Sequence, residues 1–338
     1  MLGSLLRIPG QGRGPRSRTW IPALAGMIGK KMIARSLIAT LTAALLLAGQ
    51  AAAQPRAVAV TFDDLPYQAS AAELCDPATL EKLSADFVAM LKPLEARPTL
   101  FINRGKVCLP SSRRLDTLLV RWSEAGFVLG NHTANHPNIH GMTVDAWLAE
   151  VDAGDVGGPE DAPKYFRHPY LFTGETPEKK AAMAAGLAAR GYTVAPVTID
   201  NNDWMFAAVY RKADMAGDEA LKQRIGEAYV KHMADVLDHF EPYSAELTGG
   251  REPAQVLLLH ANHLNRDWYP QIHALYLKRG YRFVSLDEAL KDPVYALPET
   301  YVKANGVSWL HRWTFSAGRP IRWEPDPPDW IVKAYEAK

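Results

Sequence analysis

Short apolar runs alternate with longer amphipathic segments through most of the chain. Seven short runs have the composition of strands, at 58–62, 99–103, 127–131, 164–167, 192–199, 255–260 and 281–284. Segments with helically spaced apolar residues lie between them, at 78–95, 111–125, 143–153, 176–190, 217–240 and 267–279. Because strands and helices alternate, the pattern predicts an α/β fold in which crossover helices join parallel strands.

Side chains suited to metal chemistry follow two of these strands. Asp63 and Asp64 come directly after the first run, and His132 follows the third run, with His136 four residues further on. The carboxyl ends of strands are where α/β folds place their sites. A carboxylate and two imidazoles can hold a divalent metal, while a second carboxylate takes a proton from water. Each pair alone has an ordinary explanation, since adjacent aspartates often lie in solvated turns.

Five motifs, in order, resemble those of the polysaccharide deacetylase family, the metal-dependent family 4 carbohydrate esterases with a NodB-type domain. They are Thr61-Phe62-Asp63-Asp64, His132-Thr133-Ala134-Asn135-His136, Arg167-His168-Pro169-Tyr170, Asp200-Asn201-Asn202-Asp203-Trp204 and Leu257-Leu258-Leu259-His260. The resemblance covers about residues 56 to 290. It implies a distorted (β/α) barrel of about seven parallel strands with the metal at their carboxyl ends.

The resemblance also implies a role for each residue of the first motifs. Asp64, His132 and His136 would be the metal ligands, and Asp63 the base that deprotonates the attacking water. Arg167 would keep Asp63 ionised, although without the motif it would be taken for a surface arginine. Zinc is the expected metal, because it accepts one carboxylate and two imidazoles, and cobalt, nickel or manganese stay open.

The remaining motifs would complete the catalytic machinery. The resemblance gives the Tyr170 backbone N–H a share in stabilising the oxyanion, on a turn made rigid by Pro169. His260 would be the acid that protonates the leaving amine, with Asp200 or Asp203 as its partner and Asp200 preferred because it ends a strand. His263 is a weaker alternative acid.

A substrate wall is expected from Trp204, with Asp203 and Pro169 beside it, and core packing is the alternative for the tryptophan. The chain departs from many family members directly after the two aspartates. Leu65-Pro66 stands where those members have Gly, as in a chitin-deacetylase-like subgroup of Gram-negative sequences. This departure bears on the shape of the substrate site and leaves the metal ligands unaffected.

The N-terminal residues 1–53 differ in composition from the rest. Seven of the 38 Lys and Arg and none of the 37 Asp and Glu lie there, so residues 54–338 carry a net charge of −6. Basic residues at 30–35, an apolar stretch at 37–48 and Ala51-Ala52-Ala53 predict a secretory signal peptide with cleavage near Ala53, after an upstream extension. Translation is expected to begin at Met27 or Met32. The acidic remainder argues against nucleic acid or a membrane as the main partner.

Two further features concern the exported chain. Cys75 and Cys108 are its two cysteines, and they predict one disulfide in an oxidising compartment, with two free thiols as the alternative. The domain is expected over 54–292, followed by a Trp- and Pro-rich extension over 293–338 that packs on it as an irregular segment, or else binds sugar.

These observations predict a periplasmic or secreted hydrolase that removes N-acetyl groups from an N-acetylglucosamine-type glycan such as chitooligosaccharide or peptidoglycan. The alternatives are a deacylase of O-acetylated polysaccharide or of a small linear amide, and an inactive carbohydrate-binding protein. Stable membrane insertion after signal cleavage is not expected. The sequence leaves the glycan and the oligomeric state open.

Overall fold

A sheet of seven parallel strands forms the centre of the molecule. The computed structural model describes residues 56–94, 97–158 and 162–337, so the predicted signal peptide lies outside the described residues. The strands are β1 (Arg56–Leu65), β2 (Thr99–Ile102), β3 (Val128–Asn131), β4 (Lys164–Phe166), β5 (Tyr192–Val194), β6 (Gln255–His260) and β7 (Tyr281–Phe283). Each coincides with a predicted apolar run, and the predicted parallel α/β fold is therefore confirmed.

The strand order is β5-β4-β3-β2-β1-β6, and β7 pairs with the first residues of β1. Past β5 the chain leaves the ladder at Val194, although the apolar run continues to 199. Residues 197–199 bond elsewhere instead: Ile199 forms a parallel bridge with Leu257 of β6, and the Val197 carbonyl accepts from the Trp309 N–H. This bridge connects the two ends of the strand path, as a distorted barrel requires.

Helices join the strands and continue past the sheet. They are α1 (Ala71–Cys75), α2 (Pro77–Leu91), α3 (Leu109–Glu124), α4 (Val144–Ala153), α5 (Pro177–Ala189), α6 (Asp203–Met215), α7 (Glu219–Leu247), α8 (His263–Lys278), α9 (Leu286–Ala289), α10 (Trp309–Ser316) and α11 (Asp329–Glu336). The sequence pattern predicts α2 to α5, α7 and α8, but not the others. No helix in the described part of the chain is both long and apolar enough to cross a bilayer.

Strand β1 lies at the centre of this arrangement and supplies two of the predicted site residues. Nine of its ten residues are buried, because β6 pairs along one stretch of it while β2 and β7 pair along others. Phe62 shows how the flanking helices cover it: its ring packs edge-on against Phe87 of α2 and Tyr269 of α8, each with centroids 5.1 Å apart. A fully buried phenylalanine of this kind stabilises the fold by about 1.5–3 kcal/mol.

The region after residue 292 contains two α-helices, so the extension is irregular only in the stretches outside them. Ser308 caps α10 by accepting from the His311 N–H, and Pro328 precedes α11. Each helix has only eight residues, which is too short for a clear apolar period among the prolines. The predicted disulfide is present: Cys75 and Cys108 are bonded, with Cα atoms 4.9 Å apart, and so tie the end of α1 to the start of α3.

Candidate metal and catalytic site

The two adjacent aspartates point into the same space, although neighbours in a regular strand face opposite sides. Asp64 has φ 65°, and the β1–β2 register shifts between Phe62 and Leu65. This left-handed residue interrupts the alternation. As a result, His132 Nε2 lies 3.7 Å from Asp63 Oδ2 and 3.8 Å from Asp64 Oδ1.

The two histidines come from the loop that follows β3. His132 Nδ1 lies 2.9 Å from the Arg167 carbonyl oxygen, so Nδ1–H donates and Nε2 keeps a lone pair facing the aspartates. His136 Nε2 lies 3.6 Å from Asp64 Oδ1. The four-residue spacing of the histidines would suit one turn of a helix, but the segment between them is not helical. Thr133 and His136 both have positive φ, and this bent loop still places the two rings 4.9 Å apart.

Asp64, His132 and His136 form a possible metal site. One ligand atom from each lies within 4.8 Å of the others. Burial lowers the pKa of both imidazoles, which favours the neutral form that a metal ligand needs. Burial alone would raise the pKa of Asp64, but Lys106 and the nearby imidazoles hold it well below its usual range. An ionised carboxylate with two neutral imidazoles fits a divalent cation.

Asp63 differs from its neighbour in its contacts. Arg167 is fully buried, donates to Thr61 Oγ1 at 3.0 Å and approaches Asp63 Oδ2 at 3.4 Å. Thr61 and Asp63 are two residues apart, so they face the same side of β1 and one guanidinium reaches both. Burial raises the pKa of Asp63 to about 6, against the opposing charges of Arg167 and His260. Among the described residues, Asp63 Oδ1 has no hydrogen-bond partner, so this oxygen can accept a proton.

His260 is paired with Asp203, so the preference for Asp200 is wrong. His260 Nδ1 lies 2.7 Å from Asp203 Oδ1, and the His260 backbone N–H donates to Asp203 Oδ2 at 2.9 Å. Burial by itself would lower the pKa of His260, but Asp203 raises it to about 9. Asp200 instead accepts from the Asn201 N–H, and its pKa rises to about 6 mainly through burial. The chain turns at Asn202, with φ 57°, which carries Asp203 rather than Asp200 to His260.

The Arg167-His168-Pro169-Tyr170 motif ends in a tight turn beside His136. Pro169 is buried, and both Tyr170 and Leu171 have positive φ, 54° and 56°. The Tyr170 side chain is 52 % exposed and packs edge-on against the His136 ring, with centroids 4.4 Å apart. The turn therefore brings the Tyr170 ring next to one of the candidate metal ligands.

Trp204 begins α6 directly after Asp203. It is 38 % exposed and packs edge-on against Tyr335 of α11, so neither core packing nor a simple substrate wall describes it completely.

Three polar residues contact the site without having been predicted from sequence. Lys106 Nζ and Gln68 Nε2 each donate to Asp64, at 2.8 Å to Oδ1 and 2.8 Å to Oδ2. Asn265 donates to Asp203 Oδ2 at 2.7 Å and to the His260 carbonyl at 2.8 Å. Gln68 and Asn265 could have been suspected, because each lies within five residues of a motif residue. Lys106 gives no such signal, since it lies 42 residues from Asp64.

Comparison with known proteins gives one family match. Residues 50–189 match the family model described as polysaccharide deacetylase. No curated protein matches the sequence.

Several solved structures are similar to this chain at low identity. A family 4 carbohydrate esterase from Streptomyces lividans is 19 % identical, with 70 % of this chain and 97 % of that chain covered and a TM-score of 0.46. The chitin deacetylase from Colletotrichum lindemuthianum is 20 % identical, with 75 % and 93 % covered and a TM-score of 0.48. Peptidoglycan deacetylase PdaC from Bacillus subtilis is 20 % identical, with 70 % and 93 % covered and a TM-score of 0.45.

The family match runs from β1 to the end of α5 and contains Asp63, Asp64, His132, His136 and the Arg167 motif. This segment of the chain is therefore similar to the polysaccharide deacetylase family.

Proposed function

We propose that the protein is an exported, metal-dependent hydrolase that removes N-acetyl groups from an N-acetylglucosamine-type glycan. One observation carries the proposal: Asp64, His132 and His136 converge, and Asp63 lies beside them, with its Oδ2 3.7 Å from His132 Nε2. A second buried carboxylate next to three groups that can hold a cation is the arrangement that metal-assisted hydrolysis needs.

The proposed chemistry divides between a base and an acid. A divalent cation held by Asp64, His132 and His136 would act as a Lewis acid that lowers the pKa of water and polarises the acetyl carbonyl. Asp63 takes a proton from the attacking water, whose oxygen bonds to the acetyl carbon. The Tyr170 N–H stabilises the negative charge that develops on the carbonyl oxygen. His260 gives its Nε2 proton to the nitrogen as the C–N bond breaks, releasing acetate and the free amine.

The two proton-transfer groups start in suitable states at neutral pH. The pKa of Asp63 is about 6, so most of it is ionised at pH 7. The pKa of His260 is about 9, so it is protonated there. Hydrolysis of an amide requires a base with a pKa below 7 and an acid with a pKa above 7.

A cavity next to the site offers room for a sugar. It has a volume of about 500 Å³, and its lining includes Lys106 and Gln68, the two residues that bond to Asp64. Polar groups that can form several hydrogen bonds suit a hydroxyl-rich ligand. The exposed ring of Trp204, next in sequence to Asp203, would add an apolar face for the acetyl group or for a pyranose ring.

Zinc is the proposed cation, because the donor set of one carboxylate and two imidazoles is typical of catalytic zinc. Cobalt, nickel or manganese would use the same ligands. Export is proposed from the basic and apolar pattern of residues 30–53, and it is consistent with the disulfide between Cys75 and Cys108. Oxygen-linked acetyl groups and small linear amides are the alternative substrates.

The test combines metal analysis with a substrate panel. Purified protein is assayed by elemental mass spectrometry, and acetate release is measured on chitooligosaccharides, peptidoglycan and acetylated xylan. We expect about one metal ion per chain and release from an N-acetylated glycan. Asp63→Asn should keep the metal and lose at least about 100-fold in kcat. His136→Ala should lose the metal.

Asp86→Asn is the matched control, because that partly exposed carboxylate forms an ion pair with Lys82 in α2. It should change neither metal content nor acetate release. Unchanged activity in Asp63→Asn would eliminate Asp63 as the base. Release only from acetylated xylan would replace the N-acetyl substrate by the O-acetyl one.

A further inference from the structure

The C-terminal extension, defined here as residues 293–337, packs against the turn that carries Tyr170. We propose that this extension positions the Tyr170 N–H for catalysis, with Gly306 and Arg312 as the positioning residues. The inference rests on the oxyanion role proposed for Tyr170. It makes the extension part of the catalytic apparatus, although the extension lies beyond the residues that match the family.

Gly306 touches the backbone of Tyr170 itself. A Cβ atom at position 306 would lie 1.8 Å from the Tyr170 carbonyl oxygen and 3.1 Å from the Leu171 Cβ. No side chain fits in that space, because the nearest atom is backbone and cannot rotate away. The peptide unit that follows Tyr170 therefore rests directly on the extension.

Arg312 holds the other end of the turn. Its Nη2 donates to the Leu171 carbonyl at 2.6 Å, and its Nη1 donates to Thr173 Oγ1 at 2.9 Å. The side chain is 1 % exposed and lies between the rings of Tyr301 and Trp309, at 5.0 and 4.7 Å. A buried guanidinium spreads its donors in a fixed plane, so two bonds to one turn fix that turn's orientation as well as its distance.

The rest of the extension is fastened to the domain on both sides of these contacts. His140 Nε2 lies 2.6 Å from the Ala304 carbonyl, and Lys180 of α5 donates to Glu299 Oε2 at 2.7 Å and to the Tyr301 carbonyl at 2.9 Å. These bonds precede Gly306, and after Arg312 the Arg319 Nη1 donates to the Glu246 carbonyl at 3.3 Å. The segment that contacts Tyr170 is therefore fixed to the domain.

The turn needs such support because of its backbone conformation. Tyr170 and Leu171 are consecutive residues with side chains and positive φ, a conformation disfavoured for both. Without Gly306 and Arg312 against it, the turn would relax toward negative φ and rotate the Tyr170 N–H. Oxyanion stabilisation depends on donor direction, so a rotation lowers the rate of the chemical step more than it lowers substrate binding.

The experiment uses the full chain and compares Arg312→Met and Gly306→Ala with Arg322→Met. Arg322 is the matched control, because it lies in the same extension and pairs with Glu246 of α7, away from the turn. The first readout is amide hydrogen exchange of residues 167–174 in metal-free protein. The Leu171 and Phe172 N–H groups report on the turn, since they donate to the His168 and Pro169 carbonyls at 3.0 Å.

We expect exchange at these amides to rise about tenfold in Arg312→Met and Gly306→Ala, and to stay unchanged in Arg322→Met. Activity is measured on the glycan from which wild type releases acetate fastest. In both turn variants kcat should fall at least about tenfold, while KM changes less than about threefold and the metal content stays constant. If Arg312→Met does not fold, Thr173→Val removes one of its two bonds to the turn and takes its place.

Two results would overturn the inference. Exchange that matches wild type in the turn variants would show that the extension does not hold the turn. Faster exchange with an unchanged kcat would show that the held turn does not matter for the reaction. A wild-type protein that released no acetate would instead count against the proposed function, and the exchange measurement would still decide whether the extension fixes the turn.

Discussion

Replacing Asp203 by Asn tests how this site keeps an acid protonated at neutral pH. Asp203 Oδ2 accepts from two donors, the His260 backbone N–H and Asn265 Nδ2, while Oδ1 accepts from the His260 ring. In Asp203→Asn, the single side-chain oxygen best replaces Oδ2, because that position faces two donors. The new amide NH₂ then faces His260 Nδ1 and favours a ring that is neutral and unprotonated at that nitrogen.

The magnitude follows from the pKa of His260. Burial alone would lower it, and Asp203 is the main reason that it is about 9 instead of the ordinary 6.5. That difference corresponds to roughly 3 kcal/mol favouring the imidazolium. Without the carboxylate, burial should bring the pKa of His260 to 6.5 or below. At pH 7.5 the imidazolium would then be about a tenth of the population or less, and kcat should fall at least about tenfold.

The assay is the pH profile of kcat/KM, together with an NMR titration of His260 in metal-free protein. In wild type the alkaline limb should lie near pH 9, and in Asp203→Asn it should move to about pH 6.5 or below. Asp200→Asn is the comparison variant. Asp200 is a carboxylate like Asp203, but it accepts a hydrogen bond from the Asn201 N–H. The pairing of His260 with Asp203 would be refuted if the alkaline limb stayed near pH 9 in Asp203→Asn. It would also be refuted if the limb moved further in Asp200→Asn than in Asp203→Asn.

Stability gives an independent check with a definite sign. The folded pKa of His260 is raised above its unfolded value of about 6.5. The ion pair therefore stabilises the fold fully below that pH, and its contribution is lost as the pH rises through about 9. The difference in free energy of unfolding between wild type and Asp203→Asn should thus narrow by roughly 3 kcal/mol between pH 6 and pH 10. A difference that widens toward alkaline pH would contradict this assignment.

Three further changes have defined outcomes. Lys106→Met removes a cation 2.8 Å from Asp64 Oδ1 that repels a bound metal ion. In a chelator competition, the metal should therefore bind about three- to tenfold more tightly. Weaker binding would mean that Lys106 supports the metal site. Arg167→Met removes the positive charge beside Asp63, so kcat at pH 7 should fall at least about tenfold while the metal content stays unchanged. Loss of the metal would instead indicate that Arg167 helps to hold His132. Replacing Cys75 and Cys108 by Ser removes a disulfide between residues 33 positions apart. The free energy of unfolding measured in urea should fall by about 3–4 kcal/mol. No change would indicate a strongly structured unfolded state.

The sequence predicts the seven strands, most clearly the apolar and buried β1, β2 and β6, and it predicts the site residues that follow or end three of them. It fails where contacts are distant or signals are weak. Helix α6 is missed although Asn202 before it is a residue type that often caps helices; in the structure Asn202 is left-handed and makes no side-chain capping bond. The support that Arg312 gives to Leu171 joins residues 141 positions apart, and nothing in the local pattern marks it.

The choice between Asp200 and Asp203 shows the same limit. Both lie in one motif, and the strand-end argument favours Asp200, since Ile199 bridges to β6. Only the turn at Asn202 reverses the outcome, and a left-handed asparagine is a local conformation that sequence suggests only weakly. Motif spacing thus identifies a set of candidate partners, and backbone geometry selects among them.

The proposed base and acid are held together by the sheet itself. Asp63 and His260 are directly opposite in the β1–β6 ladder, where neighbouring strands are about 4.8 Å apart, and the Ala261 N–H donates to the Asp63 carbonyl at 3.0 Å. Two titratable groups so close would tend to exchange a proton and cancel their charges. Separate partners prevent this: Arg167 favours ionised Asp63, and Asp203 favours protonated His260. Because their pKa values are about 6 and about 9, the required pair of states predominates between these pH values, and activity should follow a bell-shaped profile with limbs near them.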